Sequence, residues 1–392
     1  MSQINCKFDP ELGVVKTENF SSFYPLLNDY IMSRKDWEGS RDGNVKELLD
    51  FKTILTNPYR RLVGCKHRNE NVFFLLAEAM WIFTGRKDVK FLTLFNKRME
   101  EFSDDGRVFH APYGFRLRHW GVRSEDKFCE ENLHASQGYD QIADAVRILE
   151  NNPNTRQVVL SIWNADFDLG TKTKDIPCND LIMLKIRNGK LITTIQNRSN
   201  DLHWGLPTNI FQFSFMTEMI AACLGVELGT QTHNSQSLHI YEWNEIANKM
   251  LNSDCEDNLY DTCGATEYRV DFNFTHSIAG NRLREIDYYL NVIIDNLTRV
   301  SRGADEMQDE ILSLEHFSHY LHRVYLYLKI YLKYKAEIAV SKAAAIYEAE
   351  KSLDAISLID ESVTEDWDVS IMAKNWFAKK IKNVDYGFLG KL

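Results

Sequence analysis

The chain has 392 residues, 44% of them hydrophobic and 26% charged, an ordinary globular balance with length for a large core or two domains. A formal net charge of −10 argues against direct nucleic-acid binding along the phosphate backbone, although a few local arginines can still hold one phosphate. No apolar run is long enough to span a bilayer, so no membrane contact is expected. The start MSQINCKFDPELG has neither the basic nor the apolar part of a signal peptide, so the expected location is the cytoplasm.

In chain order, all seven prolines lie at or before Pro207, which predicts an α/β front half rich in turns and a helical rear. Asn71 to Gly85 reads as a buried helix, almost fully apolar with one carboxylate, Glu78, in the middle. Gln157 to Asn164 is short and β-branched, as a strand would be. After Cys178, two apolar runs flank Asn188-Gly189, which predicts an antiparallel hairpin with a tight turn. The stretch from Pro207 to Gly225 has a proline near its start and a glycine after its last apolar turn, the end signals of a helix. A strand region follows through Thr232 to Trp243. Further on, Ile311, Leu314, Phe317, Leu321, Val324, Leu328 and Tyr331 recur at steps of three and four, which predicts one long amphipathic helix. A second helical stretch spans Ser341 to Ile359. No glycine- or serine-rich linker sets this rear segment apart, so it is expected to dock on the main body.

Seven scattered cysteines without a CxxC pair or a close Cys/His cluster predict reduced thiols and no metal site. Cys178, placed directly after Pro177, is either a packed thiol or a nucleophile. Glu78 inside an apolar helix is either a paired core carboxylate or an acid/base group with a displaced pKa. QNRSNDLHWGLPTN (196–209) gathers Arg198, Ser199, Asp201 and Asn209. Taken alone it is a polar loop; as a unit it offers the guanidinium fork and hydroxyl that a phosphate needs.

PCN at 177–179, QNRSND at 196–201, GLPTN at 205–209 and HIY at 239–241 together resemble the thymidylate synthase family, which includes the pyrimidine nucleotide hydroxymethylases. Upstream, Glu78 to Trp81 is similar to the family's E-x-x-W helix. Ala111 to Gly114 is similar to its tyrosine–glycine turn, and Thr155 to Asn164 to its arginine-bearing strand. The resemblance covers roughly Ser40 to Phe274 and implies an α+β fold, a mixed β-sheet packed with helices. A catalytic domain over 1–290 and a helical C-terminal extension over 291–392 are the expected divisions.

The resemblance implies a deoxyribonucleotide monophosphate as substrate and 5,10-methylenetetrahydrofolate as co-substrate. Cys178 would add to C6 of the pyrimidine as a thiolate, its pKa lowered by Arg198. Glu78 would manage protons through water, and Tyr113 would assist removal of the C5 proton. Arg41, Arg198, Ser199 and Arg156 would bind phosphate, with Arg156 reaching across a homodimer from the second subunit. His239 and Tyr241 would hold the sugar hydroxyl, while Asp201, Trp81 and Gly205 would contact the folate. Asn209 can accept from N3–H and donate to O4 of uracil, which favours dUMP over dCMP.

Both branches of the family share a route to an exocyclic methylene on the ring. One then reduces it to thymidylate and the other hydrates it. This sequence has Met99 and Phe102 where synthases carry tryptophans, Asn179 for the histidine after the nucleophile, and Thr155 for a second phosphate arginine. Gln236-Ser237 replaces the usual G-D, and the terminal NVDYGFLGKL is not the family's short closing tail. Fewer aromatic walls and no closing tail would admit water, with Asn179 as its holder. The expectation is therefore conversion of dUMP, methylenetetrahydrofolate and water to 5-hydroxymethyl-dUMP and tetrahydrofolate, as in phages that replace thymine. A true synthase and a catalytically silent nucleotide- or RNA-binding member are the alternatives.

Overall fold

The computed structural model describes residues 6–68, 70–125, 138–252, 269–340, 345–361 and 368–388. Cys129, Cys255 and Cys263 lie outside these residues, as do the last four residues of NVDYGFLGKL. Cys6, Cys65, Cys178 and Cys223 are free thiols.

Nine strands among the described residues form one sheet: β1 (Lys7–Asp9), β2 (Val14–Thr17), β3 (Glu38–Ser40), β4 (Gly43–Leu55), β5 (Val158–Ser161), β6 (Asn179–Arg187), β7 (Lys190–Asn197), β8 (Asn200–Asp201) and β9 (Glu227–Tyr241). Their order is β1-β2-β4-β9-β7-β6-β5, with β3 beside β4 and β8 beside β9. β2–β4, β7–β9 and β8–β9 pair in parallel and the remaining neighbours antiparallel, so the sheet is mixed and the class is α+β. The β6–β7 hairpin turns at Asn188 (φ 52°) and Gly189 (φ 71°), both left-handed as a two-residue primed turn requires.

In chain order the helices are α1 (Phe20–Met32), α2 (Val72–Phe83), α3 (Val89–Thr93), α4 (Tyr113–Arg118), α5 (Gln141–Asn151), α6 (Ala165–Asp168) and α7 (Leu206–Leu224). They continue with α8 (Glu245–Leu251), α9 (Ala279–Ser301), α10 (Gln308–Phe317), α11 (His319–Val340), α12 (Ala345–Glu361) and α13 (Asp368–Phe388). α2 and α7 match the two helices expected over these stretches, and α7 ends on the left-handed Gly225, whose N–H bonds the Ala221 carbonyl.

The single helix expected through Ile311 to Tyr331 is two. Ser318 is extended (φ −157°), and its Oγ accepts the Leu321 N–H at 3.1 Å, so it caps the start of α11. The apolar period survives because the helices on both sides of the break bury the same face, with Leu314 and Phe317 before it and Leu321 and Val324 after it.

One core joins α2, α5, α7 and strands β5 to β7 with α9, α11 and α13. Phe73 of α2 stacks on Tyr331 at 4.7 Å and meets Trp376 edge-on, so the rear helices rest directly on the helix that carries Glu78. Residue 290 lies in the middle of α9, where Ile286, Leu290 and Ile293 are fully buried in this shared core. A second core lies between α1, α8 and the strands β4 and β9. None of the described helices is long and apolar enough to cross a membrane.

Candidate active site

Cys178 sits on the loop that enters β6, beside a register shift between Asn179 and Leu181. Such an irregularity re-aims side chains at a strand end. The loop is fixed from two sides. Arg198 donates from Nε to the Pro177 carbonyl at 2.8 Å and from Nη2 to the Ile176 carbonyl at 3.2 Å, while its own N–H bonds the Cys178 carbonyl. The Cys178 N–H donates to the Tyr113 hydroxyl at 3.4 Å. Arg198 Nη2 lies 3.8 Å from Cys178 Sγ, the cation beside the thiol that sequence predicts. The net effect differs from the expectation: burial pushes the thiol up, and the charges of Arg198 and Arg41 offset this only in part.

Behind the loop runs a chain of amides. Asn197 Nδ2 donates to Asn179 Oδ1, Asn179 Nδ2 to Asn209 Oδ1 at 3.2 Å, Asn209 Nδ2 to Asn200 Oδ1 at 3.2 Å, and Asn200 Nδ2 to Ser235 Oγ at 3.2 Å. All donors point the same way, which fixes the orientation of the Asn209 amide. Asn179 has no exposed surface, and its carbonyl and one amide hydrogen are already engaged. Its side chain lies behind the cavity wall rather than in it, bonded to the Asn209 amide.

Asn209 opens into a cavity of about 240 Å³ that also takes in Glu78, Trp81, Tyr113, Gly205 and Gln212. Glu78 and Trp81 stand three apart on one face of α2, and Asn209 and Gln212 stand likewise on α7, which packs against it. Gln212 Nε2 donates to Glu78 Oε2, and burial nevertheless pushes the Glu78 carboxyl up to about 8. Tyr113 reaches the cavity because α4 begins hard against the end of α2. A Cβ on Gly114 would lie 1.9 Å from the Ile82 carbonyl oxygen, so only glycine fits there. Burial also pushes the Tyr113 phenol up.

Met99 and Phe102, the two departures from tryptophan, both line the cavity, and Trp81, Phe109 and Trp204 keep the rest of its wall aromatic. Phe102 and Trp204 are 46% and 48% exposed, so solvent reaches the rim. Trp81 is anchored by its indole N–H on the Asp88 carbonyl at 3.0 Å. Asp201 Oδ1 accepts the N–H groups of His203 at 2.7 Å and Trp204 at 2.5 Å, whereas its buried Oδ2 has no partner. Asp201 itself is not among the residues that line the cavity, although Trp204 and Gly205 next to it are.

Arg41 lies at the tip of the β3–β4 hairpin, largely exposed and paired with Asp42, near enough for Cys178 and Tyr241 to feel its charge. His239 is opposite Asp201 in the β8–β9 pair and edge-on to Tyr241 at 5.0 Å. Ser199, between Arg198 and Asn200, is half-buried. Arg156 is not brought to this site: it is exposed in a separate hollow with Asn152, Asn154 and Gln157.

Three features escaped the sequence reading. Gln212, the partner of Glu78, looks like any polar residue in a helix, although its offset of three from Asn209 was visible. Asp175 lines the cavity from the loop just before Cys178. His110 bonds both Asp168 and Glu125, which raises it to about 9, and Arg116 forks onto Asp168 beneath that loop. Asp168 lies 52 and 58 residues from Arg116 and His110, a separation no local pattern reveals.

The family profile for thymidylate synthase matches residues 31–260. The chain belongs to the thymidylate synthase family. It is 43% identical over 223 residues to a deoxyuridylate hydroxymethyltransferase of Bacillus phage SP01, covering 56% of this chain and 57% of the relative. To the deoxyuridylate hydroxymethyltransferase of Pseudomonas phage M6 it is 36% identical over 242 residues, 61% of this chain and 64% of that one. To a thymidylate synthase of Ascaris suum it is 29% identical over 180 residues, 43% and 60% of the two chains. The matches thus span about three-fifths of the relatives' length.

Proposed function

We propose that this protein converts dUMP, 5,10-methylenetetrahydrofolate and water to 5-hydroxymethyl-dUMP and tetrahydrofolate. The observation that carries the uracil reading is the Asn209 amide, held by Asn179 and Asn200 in the wall of the Glu78 cavity and beside the Cys178 loop. Its carbonyl accepts from N3–H and its second amide hydrogen donates to O4. The higher identity to the two hydroxymethyltransferases than to the synthase supports hydration as the last step.

In this reading the Cys178 thiolate bonds to C6 of the ring and the electrons move to C5. Burial keeps the thiol up in the single chain, and arrival of dUMP brings its phosphate between Arg41 and Arg198. The co-substrate supplies the one-carbon unit that C5 takes up. Glu78, protonated at neutral pH, donates toward O4 through water. Tyr113, a neutral phenol, assists by positioning the water that takes the C5 proton. Ser199 and Arg198 hold the phosphate, His239 and Tyr241 the 3′-hydroxyl, and Trp81, Gly205 and Asp201 the pterin. Arg156 completes the phosphate site of a partner copy, which makes the homodimer the active form.

Mass analysis of the nucleotide formed from dUMP and methylenetetrahydrofolate tests the proposal. A product heavier than dUMP by a hydroxymethyl group, with tetrahydrofolate, is expected. dTMP with the rise in absorbance of dihydrofolate would replace it by the synthase reading.

A further inference from the structure

The cavity holds a second carboxyl group that none of the roles above uses. Asp175 lines it together with Glu78, Tyr113 and Asn209, three residues ahead of Cys178 on the same loop. Its position is fixed by the two residues just before it. Thr173 Oγ1 bonds Asp104, Lys174 N–H bonds Asp104 Oδ1 at 3.2 Å, and Lys174 Nζ bonds the Ser103 carbonyl at 3.0 Å. Asp175 Oδ2 accepts the Ala111 N–H at 2.8 Å, and no cation pairs with the carboxyl among the described residues. A carboxyl anchored by one oxygen, unpaired and facing a cavity is built as a proton acceptor rather than as a salt-bridge partner.

Resting on the reading above, we infer that Asp175 is the general base that takes a proton from the water adding to the exocyclic methylene. As the water oxygen bonds to the methylene carbon, its proton passes to the Asp175 carboxylate and the C=C pair shifts through C5 to O4. The enolate then collapses to restore C4=O and form C5=C6, and the C6–S bond breaks to return the Cys178 thiolate. The sum is one water added and one proton left on Asp175, with nothing oxidised or reduced. The charged groups that surround the carboxyl are consistent with this task. Burial raises Asp175 to about 6, while the Ala111 N–H, His110 and Arg116 limit the rise and Asp104 adds to it. The group is therefore mostly ionised at neutral pH and close enough to neutrality to accept a proton.

The simpler alternative is a latch that only secures the loop to Ala111, and a partition experiment separates the two. In single-turnover reactions with [5-³H]dUMP, wild-type protein should release tritium and form hydroxymethyl product together. Asp175→Asn should release tritium within about threefold of wild type but form product about 10²–10³-fold more slowly. Added 2-mercaptoethanol should then divert the methylene to a thioether nucleotide, and Asp175→Glu should recover part of the rate. In wild type, product formation should fall on the acid side with a midpoint near 6, while tritium release does not share that limb. This last measurement needs no variant to fold. Equal tritium-to-product ratios in Asp175→Asn and wild type, or a joint loss of both with dUMP affinity, would overturn the inference alone. dTMP from the wild-type protein would overturn the hydroxymethyl reading and this inference with it.

Discussion

Replacing Glu78 by glutamine should make the protein more stable at high pH and change little at low pH. The carboxyl lies between α2 and α7 with Gln212 Nε2 as its hydrogen-bond partner, and burial holds its pKa near 8 against 4.5 when free. The sign follows from proton counting. Between these two values the folded protein keeps a proton that the unfolded chain has lost, so stability falls as pH rises. Each unit contributes about 1.4 kcal/mol. From pH 6 to 8 the wild-type protein should therefore lose roughly 2 kcal/mol relative to Glu78→Gln, and above 8 the difference should level off. Urea unfolding followed by tryptophan fluorescence at pH 6, 7, 8 and 9 measures it. Groups that titrate in both proteins cancel in the comparison. Parallel curves for the two proteins across this range would refute the reasoning, because Glu78 would then be ionised in the fold.

Asn209→Asp should turn preference from dUMP toward dCMP. The carboxyl presents an acceptor to the N4 amine of cytosine where the Asn209 amide presents a donor to O4 of uracil. A shift of roughly 10²-fold in the ratio of kcat/KM for the two nucleotides is expected from two reversed hydrogen bonds, and an unchanged ratio would show that the base is read elsewhere. Arg156→Ala and Cys178→Ala should each be inactive alone and regain up to about a quarter of wild-type activity when mixed and allowed to exchange subunits. That figure follows from random pairing, in which one site of each mixed dimer is intact. Absence of recovery in a mixture shown to exchange would remove Arg156 from the partner's site.

The site was legible where chemistry sits in short windows, and the rest came from contacts across long separations. The Asn188-Gly189 turn, the ends of α7 and the buried carboxyl of α2 each follow from a few neighbouring residues. The relay through Asn179, Asn197, Asn200 and Asn209 did not, because it depends on a strand register and a helix start meeting around one loop. Asn179 read as a water-holder for the same reason: its place in the sequence is beside the nucleophile, while its side chain points into the relay. The break at Ser318 was hidden because a capped helix end that keeps the apolar face leaves the period intact. Thiol acidity was misjudged in magnitude. Arg198 is where the sequence suggests, but the burial that accompanies it acts in the opposite direction and is larger.

In the proposed reaction the two carboxyls of the cavity would divide the labour, because their surroundings separate their protonation. Glu78 has an apolar helix pair around it and one amide donor, so burial dominates and the group is an acid at neutral pH. Asp175 has a backbone N–H and two nearby positive charges, so the same burial raises it only to about 6 and it is a base. An acid aimed at O4 and a base aimed at water are what conjugate addition of water to a methylene requires. Hydride transfer needs no base at that carbon, and an ionised carboxylate there would only carry the desolvation penalty of a half-buried charge. The second carboxyl thus argues for hydration more directly than does any thinning of the aromatic wall, since Trp81, Phe102, Phe109 and Trp204 leave that wall largely in place.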